Sequence, residues 1–291
     1  MAKPKVACHL IVFRGRDRED LDGVLREVQQ AGYDGVEGRL FFDGDGARAR
    51  AKLAEYGLEQ GTISSGYASL PEIGRTLEYA TAVGARFIMV SGVGDHQSEG
   101  LRAYEQSADL FNEVGRRCQA AGVQFCYHNH SWEFMVYDRA TGRPIEGAWS
   151  DDEGRCWTAD GKRLEQAVTG LDRLYEVTDP ALVKANVDVF WVQHGGRNPA
   201  AFIQKYRDRI GYPHLKDLRY VGPEPRRKGR LEREEAEFVE LGRGEVDFPS
   251  IWRALEPLNL PWVVYEQDRS TIPPGEAAAV SRRYLREALG I

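Results

Sequence analysis

The segment CYHNHSWEF, residues 126–134, sets two histidines, an asparagine and a glutamate within six positions, directly after the apolar run VQF. The whole chain has only six histidines. Polar groups at the end of a buried strand cost free energy unless they are paired. Three more segments repeat the design, with ionisable side chains in or after an apolar run. They are NVDVFWVQH with Asp188 and His194, YPHLKD with His214, Lys216 and Asp217, and VVYEQD with Glu266 and Asp268. Carboxylates gathered in one place repel one another, and each is costly to desolvate alone. A divalent cation removes both difficulties. Oxygen donors plus an imidazole suit Mn²⁺, Mg²⁺, Co²⁺ or Zn²⁺. One divalent ion is the expected cofactor, with Mn²⁺ first. Each of these side chains alone could serve a local ion pair; the joint pattern is the signal.

Smaller cues surround this set. His128 and His130 are two apart, so in a strand they face the same side; either could ligate metal or act on substrate. Phe190 or Trp191 could present a ring to the C–H face of a sugar. Glu37 in DGVEGR and His194 after the Asp188 segment are further candidate substrate contacts. His9, Ser64 and Ser65 are weaker candidates, and His96 in SGVGDHQSEG reads as a surface loop residue.

The elements that must position these residues alternate along the chain. Short runs rich in β-branched and aromatic residues read as strands at 5–13, 34–40, 59–65, 86–92, 123–130, 183–192, 211–218 and 262–268. Helical spacing lies between them. In DREDLDGVLREVQQAG, Asp17 or Asp20 caps the start, Leu21, Val24, Leu25 and Val28 form one face, and Gly32 stops the helix. Eight strand–helix pairs predict a parallel sheet with right-handed crossovers. Closed on itself this is a (β/α)₈ TIM barrel, an α/β fold of about 250 residues, and 1–291 reads as a single such domain. Roughly 40 residues remain for insertions after strands five and seven, at 134–162 and 219–247. Both fall on the strand-to-helix face, where barrel enzymes keep their active sites. The four polar segments would then converge there. An open doubly wound sheet is the competing fold, but no GxGxxG follows the first strand.

Composition bounds the function. The net charge of -6 excludes a general nucleic-acid binder; RRKGR at 226–230 reads as a solvated loop. No stretch has the roughly 18 apolar residues of a membrane span, and the N-terminus lacks a signal-peptide core. Cys8, Cys118, Cys126 and Cys156 form no CxxC pair and read as core-filling thiols. A cytoplasmic protein without membrane or nucleic-acid partners is expected. The outer helices could also support a homo-oligomer.

The segments GYDGVE, CYHNHSWEF, LVKANVDVFWVQHGG, PHLKD, ELGRGEVDFPSI and VVYEQD resemble the sugar phosphate isomerase/epimerase superfamily, the xylose-isomerase-like TIM barrels. Within it the YHNHSWEF and HLKD segments are similar to the sugar phosphate isomerase branch near inosose dehydratases and ketose 3-epimerases. The resemblance implies a metal held from strands five to eight by Glu, Asp, His and Glu. On this chain that carries over to Asp188, His214 and Glu266, with Glu133 as the strand-five ligand. In the alternative alignment His128 or His130 takes that place and Glu133 contacts substrate. The ketose epimerases carry a histidine shortly after the strand-six aspartate, where this chain has Trp191.

The chemistry implied is proton abstraction next to a carbonyl through an enediolate, with a small sugar or cyclitol as substrate. Glu266 or Glu133 would act as base, His130 as acid or second base, and Lys216 would stabilise the oxyanion. A sugar isomerase or epimerase is the expected function. The alternative is a dehydratase or lyase on a keto-cyclitol or keto-glycoside. Other classes are a non-catalytic sugar-binding barrel and an endonuclease IV-like phosphodiesterase, the latter disfavoured by the acidic charge and the few histidines. GRGEVD and SGVG lie on the correct face for a phosphate, but neither is a P-loop.

Overall fold

Eight parallel strands close into a barrel in the computed structural model, which describes residues 3–222 and 229–291. They are β1 (Lys5–His9), β2 (Gly35–Gly38), β3 (Glu59–Gly66), β4 (Phe87–Ser91), β5 (Gln124–His128), β6 (Val183–Asp188), β7 (Ile210–Leu215) and β8 (Trp262–Tyr265). β1 completes the ring, with Lys5 opposite Trp262 on β8 and Ala7 opposite Gly35 on β2. The principal helices that follow them are α1 (Leu21–Ala31), α2 (Gly46–Ala54), α3 (Gly74–Val83), α4 (Leu101–Ala120), α5 (Gly170–Val177), α6 (Pro199–Lys205), α7 (Phe248–Leu255) and α8 (Pro274–Ala288). The architecture is the (β/α)₈ barrel expected from the alternation. Among the described residues no helix is long and apolar enough to cross a membrane. Arg226, Arg227 and Lys228 of the RRKGR segment lie outside the described residues.

Local chemistry explains the elements. In α1 the Asp20 carboxylate accepts from the Gly23 amide at 2.8 Å, Val24, Leu25 and Val28 are buried, and Gly32 at φ 86° ends the helix. Several strands stop short of the apolar runs that suggested them. β1 ends at His9, whose ring accepts the Ile11 amide and starts a 3₁₀ turn, Leu10–Phe13. β6 ends at Asp188, whose carboxylate caps the short helix Val189–His194. The run VFWV is therefore helical, because a side-chain acceptor at the strand end satisfies the first helical amides. β7 ends at Leu215, and Asp217–Tyr220 leaves the barrel to pair antiparallel with Ala236–Val239.

Alternation along the strands builds a layered interior. Ala7, Phe87, Met89, Cys126, Tyr212, Trp262 and Val264 form an apolar plug inside the barrel. A Cβ at Gly61 would sit 2.2 Å from Trp262, so glycine is what lets β3 pass that indole. Two residues further along from Ala7, Cys126, Tyr212 and Val264 the positions are polar: His9, His128, His214 and Glu266. Between β5 and α5 the chain forms a hairpin, Val136–Asp138 with Ala167–Thr169, and a small three-stranded sheet.

Candidate metal centre

The layer above the apolar plug brings together His128 at the end of β5, Asp188 at the end of β6, His214 on β7 and Glu266 just past β8. One ligand atom from each lies within 4.8 Å of all the others. Asp188 and His214 are 0% exposed, His128 3% and Glu266 5%, so no bulk water screens them.

Lys216 brings an ammonium into this layer. Its Nζ lies 2.6 Å from Glu266 Oε1, 2.8 Å from Asp268 Oδ2 and 3.3 Å from Asp188 Oδ2. Phe190, Trp191 and Phe238 close over it, with ring centroids 5.1–5.7 Å away. Burial alone would raise every carboxyl here. It carries Asp188 up to about 6 in spite of Lys216. For Glu266 burial is outweighed by Lys216 and His214, which hold it well below the usual range. His214 loses by burial but gains more from Glu37 and Glu266, and rises to about 10. Burial, with His130 and His214 beside it, pushes His128 well below its ordinary value, so its ring is neutral.

Two imidazoles and two carboxylates suit a divalent transition ion, and the atoms left without a hydrogen bond agree. Asp188 Oδ2 and both His214 ring nitrogens are buried without a hydrogen bond. His214 Nδ1 lies 2.6 Å from Glu266 Oε2, yet the two are not aligned to share a proton. They converge as donors do around a common centre.

Asparagines hold these donors in place, and sequence reasoning did not single them out. Asn186 Oδ1 lies 2.9 Å from His128 Nδ1, and its amide nitrogen donates to the Tyr212 carbonyl at 3.2 Å. Asn129 accepts from the Asp188 amide at 3.1 Å and donates to the Asp188 carbonyl at 3.3 Å. Both asparagines are fully buried. The available signal was an amide set inside an apolar strand pattern, which is stable only when hydrogen-bonded.

Three expected site residues stand elsewhere. Glu133 lies outside the group of four. Its Oε1 accepts from Tyr127 Oη and its Oε2 from the His130 amide, each at 2.8 Å. It braces the turn after β5, and burial raises it to about 7 despite those bonds. The chain turns at Ser131, so the carboxylate points back beneath the strand end. Glu37, expected against substrate, is 0% exposed. It lies under His214, with Nε2 of that ring 2.9 Å from Oε1, and 3.4 Å from His9 Nε2. His194 is buried against Phe190, ring centroids 5.8 Å apart, because the helix after Asp188 turns it away from the group of four.

The mouth carries the remaining candidates. His130 stacks on Trp132 at 3.9 Å and meets His128 edge-on at 4.7 Å. Burial lowers it to about 3. Trp191 is half-buried, 5.4 Å from His130, while Phe190 packs inward on Phe238. His96, expected on the surface, is half-buried against Trp132. His9 reaches Ser64 Oγ at 3.1 Å, and Ser64 opens onto a cleft of about 530 Å³ shared with Arg39, Asp43, Ser65, Glu72 and Arg75. Lys216 pairs with Glu266 and not with Asp217. The Asp217 carboxylate instead accepts from the amides of Gly242, Gly244 and Val246 at 2.9, 2.9 and 3.2 Å. A Cβ at Gly244 would lie 2.3 Å from that carboxylate. The amides of GRGEVD that could cradle a phosphate are thus already engaged.

A family model described as xylose isomerase-like TIM barrel matches residues 25–288. An inosose dehydratase of Geobacillus kaustophilus is 27% identical over 299 residues, spanning 92% of this chain and 87% of that protein. A crystal structure of a sugar phosphate isomerase/epimerase from Parabacteroides distasonis matches with a TM-score of 0.71 and 17% identity, over 99% of this chain and 95% of the other. The crystal structure of IolI protein with a bound zinc atom matches with a TM-score of 0.68 and 14% identity, over 98% of each chain.

Proposed function

We infer the reaction from one premise: the chain belongs to the xylose isomerase-like TIM barrel family. It is a metal-dependent enzyme that removes a proton next to the carbonyl of a small polyhydroxylated ketone and expels the β-hydroxyl as water. The substrate class is a keto-cyclitol, as the name of the inosose dehydratase relatives suggests. The observation that carries the reading is the convergence of His128, Asp188, His214 and Glu266 within 4.8 Å. These four would hold the ion, with His128 in the strand-five place first given to Glu133. Mn²⁺, Co²⁺ and Zn²⁺ all suit the donor set. A divalent cation there supplies a Lewis acid for the substrate carbonyl.

The chain's own groups divide the remaining work. His130 is neutral and half-buried at the mouth, and its Nδ1 has no protein partner. That nitrogen is buried without a partner, and it would take the carbon-bound proton from a substrate seated against the ring. Lys216 is held protonated, chiefly by Asp188 and Glu266 against the effect of burial. It would protonate the departing hydroxyl. Asp268, 29% exposed in its side chain and 2.8 Å from Nζ, links that ammonium to solvent for its reprotonation. Trp191 and Trp132 wall the mouth and would pack on the C–H face of the ring. The cleft beside Ser64 carries two arginines balanced by Asp43 and Glu72. Such a neutral lining favours an unphosphorylated substrate.

Isomerisation or epimerisation would use the same proton abstraction and return the proton to carbon. The two outcomes separate in one experiment. The purified protein with Mn²⁺ is given an inosose, and products are followed by proton NMR and by the ultraviolet absorbance of a conjugated enone. Loss of one water per turnover supports elimination. An isomer or epimer of unchanged mass refutes it.

A further inference from the structure

We infer that Asn186 and Glu37 decide which nitrogen each histidine turns toward the ion: Nε2 of His128 and Nδ1 of His214. This rests on the metal site proposed above and goes beyond it, because four residues within reach of one another leave the ligating atoms open.

The argument for His128 is one of donors and acceptors. The amide nitrogen of Asn186 must face the Tyr212 carbonyl, since two oxygens cannot share a proton. The amide oxygen is thereby fixed toward His128 Nδ1 at 2.9 Å. An unprotonated Nδ1 there would set lone pair against lone pair. Nδ1 therefore carries the hydrogen, and Nε2 keeps the free pair. Asn186 and His128 are both buried, so water cannot substitute for either partner.

His214 is fixed from below. Its Nε2 lies 2.9 Å from Glu37 Oε1, and a carboxylate only accepts. Neither Glu37 oxygen makes an aligned hydrogen bond, and the side chain is fully buried. Glu266 belongs to the group of four and Glu37 does not, so Glu37 is the carboxylate left to accept the ring hydrogen, on Nε2. The other nitrogen, Nδ1, is the one that faces Glu266 and the centre of the group. A carboxylate behind an imidazole fixes its orientation and raises the donor strength of the opposite nitrogen. Glu37 and Asn186 are thus positioning residues, and neither needs to touch substrate.

The test reads the nitrogens directly. Long-range ¹⁵N–¹H correlation spectra of ¹⁵N-histidine-labelled protein are recorded metal-free and loaded with Zn²⁺, which is diamagnetic. In the loaded protein His128 should show Nδ1–H with Nε2 shifted by metal, and His214 should show Nε2–H with Nδ1 shifted. Asn186→Leu and Glu37→Leu should weaken Zn²⁺ binding about 10- to 100-fold. Glu37→Gln, which keeps an acceptor, should stay within about threefold of the parent. Zinc bound through Nδ1 of His128 or Nε2 of His214 overturns the inference while leaving the metal site standing. A parent protein that takes up no zinc overturns the metal site itself. The spectra of the parent decide the matter even where a variant folds poorly.

Discussion

Replacing Lys216 with methionine removes an ammonium that lies between Asp188, Glu266 and Asp268, at 3.3, 2.6 and 2.8 Å. Methionine keeps most of the stem volume and packs against Phe190, Trp191 and Phe238, so the charge is the main loss. Lys216 is 0% exposed. Breaking a buried ion pair by deleting one partner costs about 3–5 kcal/mol, because the other charges stay buried and unpaired. With a urea slope near 3 kcal/mol/M, the metal-free variant should unfold at about 1–1.7 M lower urea than the parent. Divalent metal should restore part of that loss, since a cation at Asp188 and Glu266 supplies the missing charge; at 100 times its dissociation constant it adds about 2.7 kcal/mol. The variant should also bind Mn²⁺ more tightly, because a neighbouring positive charge is gone. The assay is urea unfolding followed by circular dichroism, with and without Mn²⁺, alongside calorimetric metal titration. A metal-free midpoint within ~0.2 M of the parent would mean that the ammonium does not balance these carboxylates, and the electrostatic account of the site would fail.

Three further outcomes are expected. Glu266→Gln and His214→Ala should lose most bound metal with the fold intact, and Glu133→Gln should retain it; metal analysis of the purified variants reads this directly. Glu133 has its folded-state value raised from 4.5 to about 7, so the folded form binds the proton more tightly and stability falls as pH rises between those values. Glu133→Gln keeps both hydrogen bonds, its oxygen accepting from the His130 amide and its nitrogen donating to Tyr127 Oη. It should flatten that decline and gain about 3 kcal/mol relative to the parent between pH 5 and 8, measured by urea unfolding at each pH. Arg197 donates to Ser150 Oγ at 2.9 Å and to Asp172 Oδ1 at 3.0 Å, both buried; Arg197→Met should cost about 3–5 kcal/mol and loosen the small sheet after β5, seen as faster amide exchange at Trp149–Ser150 and Cys156–Trp157.

The alternation of apolar runs and helical faces was enough to predict the barrel, because both periods are local properties of the chain. Strand ends were less legible. LIVF after His9 and VFWV after Asp188 have strand composition, but a side-chain acceptor at the preceding residue turns each into a helical turn. That competition depends on where the capping side chain points, which composition does not encode.

Three members of the candidate site, Asp188, His214 and Glu266, were legible as a joint pattern and not one by one, since a single ionisable residue near the end of an apolar run could equally serve a local ion pair. What the chain order could not say was which strand-five residue joins them. Glu133 is a carboxylate at the expected place in the sequence, yet the turn at Ser131 directs it to Tyr127, and His128 takes the inward position. Glu37 and Asn186 were likewise settled by neighbours 177 and 58 positions away, His214 and His128. The residue types and their two-residue spacing are set by the sequence itself; pairing across strands, and with it the identity of each donor's partner, exists only once the barrel closes and excludes water from its interior.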